Sequence, residues 1–558
     1  MKRSTEKEVC PQEIPPHFPV KAPEYYNFGY DVVDEWARRD RNKLAMIWAN
    51  QKGEEKRFTF HDMSKLSNQA ANLLIKLGIT AGDRVFIMLP RLPEWWIFSL
   101  ALIKLGAVQC PSPTLLTSQD IQHRIRYGKF KMVITDSENA HKFDEIYDDC
   151  PSLAIRLLVD GERPNWISYR AEIAGPNSTL SRHAVKSPVK IRTRSCAPML
   201  LIFTSGTSKY PKMVMHNYAY PLGHQITAEL WHNLKPNDLH MTVSDTGWGK
   251  NLWGNYFGQW IIGTCLFIYD IRGKFHADEL LPLIEKYELT SFCAPPTVYR
   301  MMTLNNIGRY DFTELRECTT AGEPMQTETI RLWKESTGLT IREAYGQTET
   351  VCMIGTFRWV KPKPGSMGVP APGWKVEIHD EEGKPVKQGE DGRIAVKISD
   401  GDRPVGLFDK YLYNEPENKA CFIGDYYYTG DRAYQDEEGY FWFVGRTDDI
   451  IKSSGYRIGP SEVEDAISHH PSVLEVAVVG APDPLRGARV KAYIVLRPEF
   501  EATESLVREI QNFVKKETAP YKYPREIEFV RQMPKTFSGK IKRDVLRHHA
   551  ETGEGWEH

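Results

Sequence analysis

Thr204-Ser-Gly-Thr-Ser-Lys-Tyr-Pro-Lys212 sets hydroxyl side chains, a glycine and two lysines directly after the apolar run Pro198-Met-Leu-Leu-Ile-Phe203. A strand that empties into such a loop suits an anion. Backbone N–H groups and hydroxyls can point at phosphate oxygens, and lysine adds a full charge. The Walker pattern cannot be laid over this segment. Five other stretches are dense in residues that could do chemistry. Ala321-Gly-Glu-Pro324 and Glu343-Ala-Tyr-Gly-Gln-Thr-Glu349 are each expected to follow a strand. Tyr428-Thr-Gly-Asp431 precedes an apolar hairpin, and Gly445-Arg-Thr-Asp-Asp-Ile-Ile-Lys-Ser-Ser-Gly-Tyr-Arg457 mixes charge with glycine. Pro534-Lys-Thr-Phe-Ser-Gly-Lys540 lies near the end. Any one of them alone reads as turn chemistry.

The elements that must position these residues follow an alternating pattern. Val85–Leu89, Met132–Thr135, Leu157–Val159, Leu239–Val243, Cys265–Tyr269 and Ser291–Ala294 are predicted strands, and Trp95–Leu105 and Ala277–Tyr287 have helical length and spacing. Alternation of this kind predicts layered, mostly parallel α/β structure. Residues 1 to about 40, rich in proline, read as an irregular lead-in. From about residue 365 glycine, proline and charge become dense, and Lys375–Ile378 and Gly392–Lys397 suggest a small β subdomain. Beyond Asp448 a separate α+β unit is expected. Its strands are predicted at Val476–Val479, Ala492–Leu496 and Glu526–Val530, and its helices at Ser461–Ser468, Ser505–Glu517 and Ile541–His548.

Bulk properties exclude several classes. At 558 residues the chain is too long for a single core. With 41% hydrophobic and 26% charged residues and a net charge of −1, it has neither a basic field for nucleic acid or anionic membrane nor an unusual composition. No apolar run approaches a bilayer span. The charged start with Glu6, Glu8 and Glu13 resembles neither a secretory signal nor a transit peptide. Nine scattered cysteines without a C-x-x-C pair argue against a disulfide framework or a metal knuckle and for a reduced cytoplasm. Cys293 and Cys318, in apolar surroundings, are expected as core residues.

Taken together and in this order, the five segments resemble the adenylate-forming superfamily of acyl-CoA synthetases, nonribosomal adenylation domains and firefly-type luciferases. The resemblance runs from about residue 25 to 549. Ser244-Asp-Thr-Gly-Trp248, Ser453–Pro460, Asp483-Pro-Leu-Arg-Gly487 and Ala519–Arg525 look most like the medium-chain acyl-CoA synthetase branch. The resemblance implies a large N-terminal domain (1–447) of layered α/β subdomains plus a small β subdomain. A smaller, mobile α+β C-terminal domain (448–558) would follow, hinged at Asp448. It also implies a reaction in two halves. A carboxylic acid attacks the α-phosphate of ATP to give acyl-adenylate and pyrophosphate, and coenzyme A then takes the acyl group and releases AMP.

By the same pattern Lys540 would supply positive charge at the α-phosphate, where two anions must meet. Thr204, Ser205, Gly206, Thr207, Ser208, Lys209 and Lys212 would hold the β- and γ-phosphates. Glu349 would hold Mg²⁺, and Thr348 would sit by the α-phosphate and carboxylate. Gly322, Glu323 and Pro324, with Glu343, Ala344, Tyr345, Gly346 and Gln347, would line the nucleotide. Asp431 would accept from the ribose hydroxyls, with Arg446 beside it. Ser454, Gly455 and Tyr456 would form the pantetheine tunnel, Arg457 would lie near the active site, and Arg486, Lys515, Tyr523 and Arg525 would bind the coenzyme A nucleotide. Trp248, Trp253, Ala321 and Gly346 would shape the acyl pocket. Acetate-specific relatives close that pocket with a tryptophan where this chain has Gly346, so chains longer than acetate are expected to fit.

One position departs from the pattern. Lys209 stands where the family loop has its second glycine; if that position needs positive φ, lysine costs about 1 kcal/mol there. Two other readings remain open: a stand-alone module loading a carrier protein, and a non-catalytic nucleotide-binding regulator. No carrier domain follows Lys540, and Lys540, Glu349 and Asp431 are all present. The sequence leaves the acid and the oligomeric state open, a homodimer being one option.

Overall fold

The computed structural model describes residues 15, 17–174, 191–204, 211–273, 276–399, 403–453, 456–519, 521–535 and 540–556. Two large sheets carry the N-terminal part. In the eight-stranded one, Arg84–Met88 runs parallel to Val108–Pro111 on one side and Met132–Thr135 on the other. Pro198–Phe203 joins this sheet beside Val108–Pro111 and turns back as Met213–Asn217, so the predicted phosphate loop is the link of an antiparallel pair. In the nine-stranded sheet, Ile341–Tyr345, Glu317–Ala321, Ser291–Cys293, Leu239–Thr242, Cys265–Asp270 and Leu44–Asn50 are parallel neighbours in that order.

The helix Pro93–Leu105 shows why the two sheets form one body. Its sequence is apolar on every side, and all but one of its residues are buried. A helix without a polar face needs cover all round. Proline at its first turn and Gly106 at φ 74° beyond its end delimit it. The amphipathic helix Phe60–Lys76 packs beside it and starts from a reciprocal Thr59/Asp62 capping box. One hydrophobic cluster then runs from Phe18 to Phe441 through both sheets and into the five-stranded β unit built from Val376–His379, Gly392–Lys397, Phe422–Ile423, Tyr426–Gln435 and Phe441–Arg446.

Residues from Ile451 onward form their own five-stranded sheet. Gly487–Leu496 lies at its middle, antiparallel to Val473–Asp483 and parallel to Glu526–Phe529. Two clusters made only of residues from this stretch, around Val478 and around Tyr493, give it a separate core.

Several expectations need correction. The lead-in is not irregular throughout: a short helix occupies Asp34–Arg39, with Asp34 and Glu35 in its first turn and Glu35 bonded to Arg38 and Arg39. The helix expected from Ala277 starts as a 3₁₀ turn and becomes α only at Leu280. The last helix begins at Arg543 instead of Ile541, because Ile541 bridges to Lys535. Tyr428–Asp431 does not precede the hairpin but lies inside its first strand, where Gly430 at φ 80° lets the backbone bulge. Glu343, Ala344 and Tyr345 end a strand rather than follow one.

Candidate active site

Adjacent parallel strands end together and bring two of the motifs side by side. Ala321 is in register with Ala344, so Gly322–Pro324 and Gly346–Glu349 leave the same edge of the sheet. Gly322 takes φ 103°, and a side chain there would face open space. The β unit supplies Asp431 opposite Arg446 on the neighbouring strand.

Asp431 is buried and its Oδ2 accepts from Tyr345 Oη at 2.5 Å and from Gln347 Nε2 at 2.7 Å. Burial pushes its carboxyl up, while Arg446, Tyr345 and Gln347 pull it back. Gln347 is itself fixed by Tyr427, whose hydroxyl donates to Gln347 Oε1 at 2.9 Å. Arg446 donates to Asp448 at 3.1 Å, and its guanidinium is held protonated by Asp431 and Asp448 against the effect of its own burial.

Glu349 is only 9% exposed, and its Oε1 accepts from Tyr411 Oη at 2.7 Å. Burial raises its carboxyl; Tyr411 and Lys212 oppose that. Lys212 is ion-paired with Glu417 and lies 5.0 Å from the Tyr411 ring centroid. Thr348 offers its carbonyl to His216 Nε2 at 2.7 Å. His216 is fully buried, which lowers its pKa to about 3 and keeps it neutral. Glu343 accepts from the Gly365 N–H at 2.9 Å, and burial pushes its carboxyl up to about 8.

Among the described residues no group of three or more His, Cys, Asp and Glu could hold a metal. A lone carboxylate such as Glu349 still fits Mg²⁺, which keeps most of its waters and takes other oxygens from phosphates.

Lys540 comes from the C-terminal unit and lies within Coulombic reach of Glu323, Asp431 and Lys250. Half-buried Glu323 faces four cations, Lys540, Arg300, Lys250 and Arg543, which counter the upward push of its desolvation. Lys250 was missed in the sequence. Its Nζ donates to the Ala321 carbonyl at 3.1 Å, and burial lowers its pKa. It lies three residues before Trp253 on the helix Gly249–Gly254, and that spacing, which shares a face, was the available signal. Tyr411 and Tyr427 had no such signal.

The acyl side differs from expectation. Gly346 does not leave an open space: a Cβ placed there would lie 2.3 Å from the Trp253 indole and 2.4 Å from the Val351 carbonyl oxygen. Trp253, 7% exposed, fills the room that the glycine vacates. Ala321 is buried close by on the strand Glu317–Ala321, and Trp248 caps the Gly249–Gly254 helix with its Nε1 unpartnered among the described residues.

The residues assigned to coenzyme A group on the C-terminal unit. Lys515 Nζ lies 4.2 Å from the Tyr523 ring centroid, and Arg525 donates to Tyr523 Oη at 3.0 Å. Tyr456 is half exposed and stacks on Tyr521 at 4.2 Å. Arg486 turns toward Asp483 at 3.7 Å. Ser205, Gly206, Thr207, Ser208, Lys209, Ser454 and Gly455 lie outside the described residues, as does the side chain of Arg457. Thr204 is described, its N–H bonded to the Lys212 carbonyl at 2.9 Å across the loop base. Cys293 and Cys318 are buried, as expected, and all eight described cysteines are free.

Residues 33–401 match the family model described as AMP-binding enzyme, and residues 462–540 match that of the AMP-binding enzyme C-terminal domain. The chain is 43% identical over 540 residues to the human mitochondrial acyl-coenzyme A synthetase ACSM3, covering 95% of this chain and 90% of that protein. It is 42% identical over 535 residues to human mitochondrial ACSM5, covering 94% and 90%. The crystal structure of the anthranilate CoA ligase AuaEII with anthranoyl-AMP superposes with a TM-score of 0.86 at 29% identity, over 95% of this chain and 98% of that one. The Brucella canis acyl-CoA synthetase gives a TM-score of 0.73 at 30% identity, over 95% of both chains. With the motif residues drawn to one sheet edge and nearly the whole length aligned, the chain belongs to the AMP-binding enzyme family, in the branch of the acyl-coenzyme A synthetases.

Proposed function

We propose that the protein is an ATP-dependent, AMP-forming acyl-CoA synthetase for short- to medium-chain acids, branched and aromatic ones included. The observation that carries this reading is the convergence of Lys540 with Glu323 and Asp431 across the two units. In the first half-reaction Asp431, already accepting from Tyr345 and Gln347, takes the ribose hydroxyls. Glu323 and Glu343 flank the adenine. Lys540 and Lys250 bring two ammonium groups to the point where carboxylate and α-phosphate meet. Glu349 would hold Mg²⁺, which when bound neutralises the phosphate oxygens. Lys212 leaves Glu417 for the phosphates.

For the second half-reaction the C-terminal domain, 448–558, turns about Asp448 and replaces Lys540 with the face that carries Tyr456, Arg486, Lys515, Tyr523 and Arg525. A hinge of one or two residues at an element end suits such a change. Trp253 sets pocket depth from beside Gly346, so the acid accepted depends on how far that indole swings. The solved relative that holds anthranoyl-AMP supports an aromatic acid as one option. The curated relatives are named as mitochondrial, and the described cysteines are all free. Among the described residues no helix is long and apolar enough to cross a membrane.

The test is AMP release over a panel of acids with and without coenzyme A. The reading expects acid-dependent pyrophosphate exchange and AMP release that needs coenzyme A. AMP formed at the same rate without coenzyme A would refute it.

A further inference from the structure

We propose that Glu475 is a positioning residue for adenylation: it latches the Lys540 segment onto the N-terminal domain, and the latch must open before coenzyme A can react. This rests on the assignment of Lys540 to the first half-reaction.

Glu475 stands on the strand Val473–Asp483 and is 6% exposed. Its carboxylate serves two cations from different parts of the molecule. Arg300 Nη2, on the helix Pro296–Thr303 of the N-terminal domain, donates to Oε1 at 2.8 Å. Lys535 Nζ lies 2.9 Å from Oε1 and 3.0 Å from Oε2. Lys535 opens the segment that ends in Lys540. That segment is pinched at its base, where Lys535 bridges to Ile541 and the Lys542 N–H bonds to the Pro534 carbonyl at 2.8 Å. A carboxylate that fixes Lys535 therefore fixes the root of the Lys540 loop. Arg300 also belongs to the cations around Glu323, so the far side of the latch is tied to the nucleotide edge.

The two ion pairs differ in what domain rotation does to them. Lys535 and Glu475 belong to the same unit and travel together. Arg300 and Glu475 belong to different units and part when the C-terminal domain turns. The pair is largely shielded from water, so it acts as an oriented contact and not as a loose surface attraction. A second contact across the same seam, Asp465 accepting from the Thr327 N–H at 3.1 Å, caps the helix Thr327–Thr337 and leaves Lys535 untouched. Of these two contacts only Glu475 reaches the Lys540 loop.

The experiment separates the half-reactions in the full chain. Glu475→Gln, Arg300→Gln and Lys540→Ala are assayed for acid-dependent ATP–pyrophosphate exchange. They are also assayed for thioester formation from synthetic acyl-adenylate and coenzyme A. Displacing a reacting group by about an ångström costs up to about 100-fold, so exchange should fall about 10- to 100-fold in the Glu475 and Arg300 variants. Thioester formation should stay within about twofold of the parent or rise. Exchange that is unchanged in Glu475→Gln while Lys540→Ala abolishes it would overturn the latch and leave the lysine's role standing. Both half-reactions falling together in Glu475→Gln and Arg300→Gln would also overturn it, since that is loss of fold. Full exchange in Lys540→Ala would instead sink the assignment on which the latch depends.

Discussion

Replacing Glu343 by glutamine should make the protein's stability less sensitive to pH in one window. The Glu343 carboxyl is shut into the end of its strand, bonded by the N–H of Gly365 and the N–H of Met325, and pushed up to about 8 from 4.5 by burial. A carboxyl raised on folding binds its proton more tightly in the native state than in the unfolded one. Its contribution is therefore fully present below pH 4.5 and is lost as pH rises, levelling off above pH 8. The gap of about 3.5 units, at about 1.4 kcal/mol each, amounts to about 5 kcal/mol. Glutamine has no proton to lose. It keeps one carbonyl acceptor and gives up one backbone bond, a pH-independent cost of about 1 kcal/mol. The assay is the thermal midpoint of parent and variant from pH 4 to 9, taken as a difference so that every other titrating group cancels. The variant should begin slightly less stable at acid pH and gain on the parent steadily to about pH 8. A difference that stays constant over the whole range would refute the argument, because Glu343 would then titrate alike in both states.

Gly346→Ala should force the Trp253 indole away from its present seat, since the Val351 carbonyl oxygen on the other side cannot yield. An overpacking cost of about 1–3 kcal/mol is expected in thermal unfolding, and kcat/KM should drop for branched and aromatic acids more than for acetate. Asp431→Asn should raise KM for ATP, with kcat/KM falling about 10- to 100-fold, the worth of a charged hydrogen bond; an unchanged KM would remove Asp431 from nucleotide binding. Tyr411→Phe strips the donor from Glu349 Oε1. The carboxylate should then ionise at higher pH, and the acidic limb of pyrophosphate exchange should move toward alkaline pH; an unmoved limb would show that Glu349 ionisation does not govern it.

Much of this was legible in the chain because buried parallel strands are written as short apolar runs. Gly392–Lys397 and Pro198–Phe203 have the bounds their sequences suggest. The motif segments stand out because glycine, acid and hydroxyl residues crowd at strand ends, but each alone reads as a turn, and their roles are what the resemblance of the ordered set implies. What escaped was whatever depends on distance in space. Tyr411 reaches Glu349 from a two-residue strand with no pattern of its own. Trp253 fills the place beside Gly346, a relation between a helix and a strand end that local spacing does not carry. Arg300 and Glu475 look like ordinary surface charges until the two domains are set together.

The strand Leu44–Asn50 pairs in parallel with Cys265–Asp270, and the helix Pro93–Leu105 needs cover from both sheets. On a ribosome adding about 5–20 residues per second, the first of these strands waits on the order of ten to forty seconds for its neighbour to be made. During that interval a helix carrying Trp95, Trp96, Phe98 and five leucines or isoleucines around them has no finished layer to enter. The architecture that gathers the site at one sheet edge thus gives the growing chain a long exposed period, and chaperone demand should concentrate there.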